Sequence, residues 1–157
     1  MQITTVPYSY PSEHTLNGDS YDAEVHFVHE ATEWQSEKDI TKKKLLVLGF
    51  LLKATDSLKD EKQQQVRALI QKVGDLNLRT KTGSIEVGHE VKAIPVTTLE
   101  TYQYPGSLTT PPCSNNVEWH IAQSHVEITN QELEKLRHSI GLNNNRKISK
   151  RTTIIKG

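Results

Sequence analysis

Three segments of the chain carry apolar side chains at the spacing expected of β-strands. Residues 21–30 alternate, so Glu24, His26 and Val28 are predicted on one face of a strand. Residues 45–52 are almost continuously apolar, a pattern typical of a strand that is covered on both faces. Residues 117–128 alternate again. These patterns predict a protein that is mostly β.

Two further segments have the signals of helices. A helix that begins at Asp56 or Ser57 is expected to reach about Val73, because its apolar residues recur at helical spacing. Residues 129–132 form a capping box and precede an apolar helical stripe. We expect turns in residues 1–20 and short strands in residues 85–96. The prediction is one domain, residues 1–157, mostly β with a few helices.

Composition excludes several classes of function. The chain has 157 residues, with 19 Lys and Arg against 19 Asp and Glu, so its formal charge is zero. This balance gives no electrostatic reason to expect a nucleic-acid partner. The longest apolar run, residues 45–52, is far shorter than the ~20 residues of a membrane-spanning helix. We therefore predict no nucleic acid and no membrane span.

The most informative run is residues 106–113, in which Thr109 and Thr110 precede Pro111 and Pro112. A proline fixes its own backbone and disfavours helix in the residue before it. The two hydroxyls are therefore expected on stiff, non-helical backbone, where their hydrogen bonds have fixed directions. By itself the run also suits a rigid loop whose threonines satisfy local backbone groups.

Flanking residues decide between these interpretations. Residues 102–113 with 117–119 resemble the signature of the α-class carbonic anhydrases, and so do residues 12–15 with 21–29. Residues 46–53 and 132–137 match in the same order. The resemblance covers almost the whole chain. It implies a large twisted central sheet, mixed and antiparallel but incomplete, and the zinc-dependent reversible hydration of carbon dioxide to bicarbonate.

The resemblance assigns roles to particular residues. It implies that His26 is a zinc ligand and that Glu24 supports it by a hydrogen bond. It implies that Thr109 accepts a hydrogen bond from the zinc hydroxide while donating its own proton to Glu13. Thr110 is expected to help seat bicarbonate. The residues expected to form the apolar wall against which carbon dioxide rests are Val28, Val47, Leu108 and Trp119.

Two of the three zinc histidines of the family have no counterpart in this chain. Counting back from residues 12–15, their positions fall on Met1 and Ile3. We expect the chain to be the C-terminal portion of such an enzyme and to be inactive as given. The alternatives are an acatalytic carbonic-anhydrase-like binding or matrix protein, and an artefactual or spliced product that does not fold.

Cys113 is the single cysteine. In secreted members of the family, the cysteine at this place pairs with one near the N-terminus, so we expect a disulfide partner in a missing N-terminal region and an extracellular location. A buried free thiol is the other interpretation. The six histidines other than His26 are expected to be structural or exposed: His14, His29, His89, His120, His125 and His138.

Overall fold

A computed structural model describes residues 2–30, 38–39, 42, 44–58, 64, 66–68, 70–71, 99–140, 144–146 and 155–156. Within these residues the chain forms ten strands and a helix, Asn130–Ile140, and the described residues between 64 and 71 are helical too. The strands are β1 (Gln2–Thr5), β2 (Tyr8–Ser9), β3 (Thr15–Leu16), β4 (Asp19–Ser20), β5 (Ala23–Glu30), β6 (Leu45–Thr55), β7 (Thr101–Gly106), β8 (Val117–Ala122), β9 (Val126–Thr129) and β10 (Ile155–Lys156). No described helix has the length and apolar character needed to cross a bilayer.

Eight of these strands form one sheet in the order β1-β5-β6-β8-β7-β10, with β2 also pairing with β5 and β9 also pairing with β6. The pairs of β6 with β8 and with β9 are parallel, and the other pairs in this sheet are antiparallel. β3 and β4 form a separate hairpin. Its turn contains Asn17 and Gly18, both with positive φ, as a tight two-residue hairpin requires. The predicted mostly β fold with a mixed central sheet is confirmed.

Most of the predicted strands are present, with two differences. Residues 21–30, 45–52 and 117–128 correspond to β5, β6 and the pair β8 and β9. Residues 1–20, which were expected to form turns, also contain four short strands: β1 and β2 pair with β5, and β3 and β4 pair with each other. β7 was not predicted, since Pro105 and Gly106 interrupt its pattern. Residues 72–98 lie outside the described part, and with them the expected strands of 85–96.

Two apolar clusters cover the two faces of the sheet. Alternate residues of β6 divide between them: Leu48 and Phe50 belong to one cluster, and Val47 and Leu51 to the other. The first cluster includes Ile70 of the helical segment 64–71 and Leu136 of the C-terminal helix. The second has no described helix against it and is bounded instead by loop and strand residues. Both faces of β5 are buried along its whole length.

The predicted capping box begins the C-terminal helix. The Thr129 hydroxyl accepts a hydrogen bond from the Glu132 N–H at 3.2 Å, and the Glu132 carboxylate accepts one from the Thr129 N–H at 2.6 Å. Glu132 also binds the guanidinium of Arg67 at 3.0 Å and the side-chain amide of Gln71. The cap therefore joins the two helical segments that cover the first apolar cluster.

Thr129→Ala is expected to lower the free energy of unfolding by about 1 kcal/mol, because the helix loses the acceptor for one of its terminal N–H groups. Urea unfolding followed by circular dichroism measures the change. Gln131→Ala, an exposed change in the same helical turn, is the matched control and should be nearly neutral. Equal effects of the two substitutions would contradict the role given to the cap.

Candidate active site

A buried carboxylate, Glu24 of β5, lies at the centre of the site. Its side chain is 0 % exposed, and each of its oxygens accepts two hydrogen bonds. Oε2 accepts from the main-chain N–H groups of Glu13, at 2.9 Å, and His14, at 2.8 Å. Oε1 is bonded to Nδ1 of His14 at 2.5 Å and to Nε2 of His26 at 2.7 Å. The turn that precedes β3 is thereby tied to β5.

The charges in this cluster stabilise one another. Burial by itself would raise the pKa of Glu24, but the neighbouring imidazoles of His26 and His14 and their hydrogen bonds outweigh it, so this pKa lies well below its ordinary range. Burial alone would lower the pKa of His26, yet the charge and hydrogen bond of Glu24 raise it. Glu24 is therefore an ionised acceptor that holds both rings.

The network continues from His14 to the strand that carries the signature motif. Nε2 of His14 is hydrogen-bonded to the hydroxyl of Tyr104 on β7. The Tyr104 ring stacks on Trp119 with an interplanar angle of 7° and 6.0 Å between centroids. The His26 ring meets Trp119 edge-on, at 4.8 Å. Polar and aromatic contacts together thus fix His14 and His26.

Gly49 makes room for this cluster. It pairs directly with His26 across β5 and β6. A Cβ at this position would lie 2.7 Å from Cδ1 of Ile121 and 3.3 Å from Oε1 of Glu24. The first separation is too short for carbon atoms, so a side chain here would push Ile121 or the carboxylate away. The absence of a side chain at Gly49 therefore permits the close approach of β8 to the buried carboxylate.

The second carboxylate of the site, Glu13, has a hydrogen-bond partner on one of its two oxygens. Its Oε1 accepts the main-chain N–H of Arg146 at 2.8 Å, whereas its Oε2 is buried and has no hydrogen-bond partner among the described residues. The expected bond from the Thr109 hydroxyl is therefore not formed in this structure and stays a prediction. An orphaned buried oxygen is costly unless a donor reaches it.

Thr109 and Thr110 lie in the loop between β7 and β8, outside any helix, as predicted. Thr109 is half-buried and Thr110 is exposed. The loop is held by bonds from Leu108 N–H to the Ser114 carbonyl, 3.0 Å, and from the Trp119 indole N–H to the Ser107 carbonyl, 3.0 Å. The structure brings together the four residues expected to form the apolar wall, which all belong to the second apolar cluster: Val28, Val47, Leu108 and Trp119.

The described residues do not complete a catalytic zinc site. Such a site needs three protein ligands and an open position. The ligand atoms of His14, Glu24 and His26 lie within 4.8 Å of one another, but the two imidazoles are the donors that satisfy the buried carboxylate. Both ring nitrogens of His14 are engaged, by Glu24 and by Tyr104. Of the four ring nitrogens of His14 and His26, Nδ1 of His26 is the one without a hydrogen bond to a described residue, and it remains as a ligand atom.

The strand beside β5 does not supply the other two. β1 consists of Gln2, Ile3, Thr4 and Thr5 and contains no histidine. Its register places Ile3 opposite His29 rather than opposite His26. Met1, the other counted position, lies outside the described residues.

Cys113, His29 and His120 make their hydrogen bonds outside the Glu24 cluster. Cys113 is a half-buried free thiol with a positive φ of 57°, at the end of the turn that begins at Thr110. His29 is buried, with Nδ1 bonded to the Phe27 carbonyl at 2.8 Å, and burial lowers its pKa. His120 is also buried and is bonded to Glu118 at 3.2 Å. His89 lies outside the described part of the chain.

Sequence reasoning gave no specific role to His14, Tyr104, Gly49 or Asn144. His14 and Tyr104 are 90 residues apart, and they meet because His14 is tied to β5 and the sheet order β5-β6-β8-β7 brings β7 to the same site. Predicting the role of Gly49 would have required knowledge of the register of β5 against β6. Its place between apolar residues was the only available signal, since an isolated glycine in a strand often marks a close backbone approach.

Comparison with known proteins agrees with this geometry. The family model for the eukaryotic-type carbonic anhydrase matches residues 7–154. The chain is similar to carbonic anhydrase 6 of dog, with 31 % identity over 132 residues that make up 82 % of this chain and 40 % of that protein. It is similar to the mitochondrial carbonic anhydrase 5B of mouse, with 32 % identity over 135 residues, 82 % of this chain and 40 % of that protein. The chain thus spans less than half the length of these relatives.

Solved structures give the same result. The α-carbonic anhydrase of Thermovibrio ammonificans, solved with the inhibitor sulfanilamide, matches with a TM-score of 0.62 and 29 % identity, covering 95 % of this chain and 59 % of that one. The fungal α-carbonic anhydrase of Aspergillus oryzae matches with a TM-score of 0.60 and 27 % identity, covering 92 % of this chain and 56 % of that one. With its mixed sheet, the Glu24 cluster and these matches, the chain belongs to the eukaryotic-type carbonic anhydrase family.

Proposed function

We propose that this chain is the C-terminal part of a carbonic anhydrase site and that the complete site hydrates carbon dioxide reversibly to bicarbonate with zinc. Zinc supplies a hydroxide at neutral pH when three ligands hold it. In this proposal the chain provides one ligand atom, the groups that orient the nucleophile, and the apolar wall. The other two imidazoles come from residues that are not among those described.

The observation that supports the proposal most strongly is the bond between Glu24 and Nε2 of His26, at 2.7 Å. This bond leaves Nδ1 as the ligand atom and fixes the plane of the ring. A carboxylate on the outer nitrogen of a ligating histidine sets its tautomer and raises its basicity.

In this proposal Glu13 and Thr109 orient the nucleophile. Glu13 accepts the Arg146 N–H at Oε1, and its buried Oε2 has no hydrogen-bond partner among the described residues. When the Thr109 hydroxyl donates to that oxygen, its own oxygen is left as a hydrogen-bond acceptor toward the apolar wall. A water or hydroxide that donates there is turned with a lone pair toward carbon dioxide, and Thr110 helps to seat the product.

An acatalytic binding protein is the second candidate, and the composition of β1 favours it. Gln2, Ile3, Thr4 and Thr5 offer no imidazole beside His26. In this alternative the cluster around Glu24 is a rigid polar support and no metal is needed. The two candidates differ in zinc content once any further segment of the domain is present.

We also propose an extracellular location with Cys113 in a disulfide, on the grounds of the resemblance alone. Relatives of similar identity include a mitochondrial enzyme, so membership of the family does not set the compartment. Within the described residues Cys113 is unpaired. Non-reducing mass spectrometry of the protein from its natural source addresses this point.

The 157-residue chain alone is expected to retain much less than one equivalent of zinc after gel filtration and to show no carbon dioxide hydration. A single imidazole cannot provide the roughly 10–16 kcal/mol of a structural zinc site. Metal analysis and a stopped-flow hydration assay measure both quantities. His26→Ala is the control for adventitious metal and should bind as little. Stoichiometric zinc with hydratase activity in the unmodified chain would overturn this expectation.

The next substitutions are made in a protein that contains this chain and a complete zinc site. Thr109→Val and Glu13→Gln are expected to keep the metal and to lower kcat about 10²-fold, because each weakens the orientation of the nucleophile and leaves the zinc ligands in place. His26→Ala is expected to lose the metal itself. Zinc content and kcat, measured on the same samples, separate the two defects. Loss of zinc from Thr109→Val, or an unchanged rate, would show that the roles are wrongly assigned.

A further inference from the structure

A single side chain near the C-terminus bridges two main-chain groups near the N-terminus. The side-chain oxygen of Asn144 accepts the Tyr10 N–H at 2.9 Å, and its amide nitrogen donates to the Tyr8 carbonyl at 2.9 Å. An amide is both a donor and an acceptor, so it can pair with backbone as a neighbouring strand does. Asn144 therefore continues, by one side chain, the pairing that β2 begins.

The bridged segment is the one that leads to Glu13. β2 pairs with β5 through Tyr8 and Ser9, and the chain then leaves the sheet. The next main-chain anchor is the bond from Ser12 N–H to the Tyr21 carbonyl, 3.1 Å. Between these two anchors the bond from Tyr10 N–H goes to Asn144. The Arg137 guanidinium also lies over the Tyr10 ring, 4.6 Å from its centroid, and holds the same segment from the C-terminal helix.

Two residues after Asn144, the main chain reaches Glu13 directly. The N–H of Arg146 donates to Oε1 of Glu13 at 2.8 Å. This contact uses the backbone of Arg146 and not its guanidinium. Its direction therefore depends on where the segment 144–146 lies, and the two bonds of Asn144 set that position.

We propose that Asn144 is a positioning residue for Glu13, acting through the Arg146 N–H; the proposal rests on the proposed function, in which Glu13 orients Thr109. The two bonds of Asn144 place the 144–146 segment, the Arg146 N–H occupies Oε1, and Oε2 is left for the Thr109 hydroxyl of the proposed function. Without Asn144, the segment 144–146 and its Arg146 N–H lose this anchor, and the Glu13 carboxylate is held less firmly. Only a side chain with an adjacent donor and acceptor makes both bonds, so Asp is an incomplete substitute.

The test compares Asn144→Ala with Asn145→Ala, a matched control at the next position. Two NMR signals of the 157-residue chain report on Glu13: the exchange rate of the Arg146 N–H and the ¹³C shift of the Glu13 carboxyl carbon. The exchange rate of the Tyr10 N–H shows in addition whether the bond to Asn144 has been lost. Arg146→Pro, which removes the N–H, defines the signal of an unheld carboxylate, and Arg146→Ala keeps the N–H and removes only the guanidinium. Both signals are measured without zinc and without enzyme activity. A failed hydratase assay would therefore leave the result of this test unchanged.

Asn144→Ala is expected to speed exchange at Arg146 about tenfold and to move the Glu13 carboxyl signal toward that of Arg146→Pro. Asn145→Ala and Arg146→Ala should leave both signals in place. Asn144→Asp, which keeps the acceptor for Tyr10 and loses the donor to Tyr8, should be intermediate. If Asn144→Ala does not fold, as judged by urea unfolding, this Asp variant takes its place. The proposal is overturned if the Asn144 variant changes exchange at Tyr10 and leaves the Glu13 signal unmoved, or if Arg146→Pro leaves it unmoved.

Discussion

The hydrogen bonds to one buried carboxylate are the interaction on which the site depends. Moving an ionised carboxylate out of water is strongly unfavourable unless donors replace the lost hydration. Glu24 receives four: two main-chain N–H groups from Glu13 and His14, and the rings of His14 and His26. Each donor comes from a segment that must fold into place. The charge therefore fixes the turn at residues 13–14 against β5.

Neighbouring strands adapt to this carboxylate. Gly49 lies opposite His26 with no side chain to intrude, and Ile121 of β8 fills the adjacent space. Tyr104 of β7 meets the outer nitrogen of His14. Polar support lies behind His26 while Trp119, Val28 and Val47 present an apolar surface beside it. Such a division suits the proposed hydration reaction, in which a small apolar substrate meets a charged nucleophile.

Sequence patterns predicted the sheet better than the contacts within the site. The alternation of residues 21–30 and the apolar run of 45–52 are local, and both strands were found. The four short strands before Tyr21 were not predicted. β1 and β2 pair with a strand that comes later in the chain, β5, and β3 and β4 have only two residues each, so none of them leaves a clear local pattern. The family resemblance also suggested the residues of the proposed apolar wall. It did not suggest the contacts of His14 and Asn144, since each has a partner at least 90 residues away that only the folded chain brings near.

The most direct measurement of the central claim is the tautomer of His26, from a long-range ¹H–¹⁵N spectrum of the chain at a pH high enough for the ring to be neutral. If Glu24 holds His26 through Nε2, the single ring proton is on Nε2 and Nδ1 has the shift of an unprotonated nitrogen. Glu24→Gln, which removes the charge and keeps the shape, should weaken this preference. A proton on Nδ1 of His26 in the unmodified chain would contradict the account, because the ring would then present no free ligand atom.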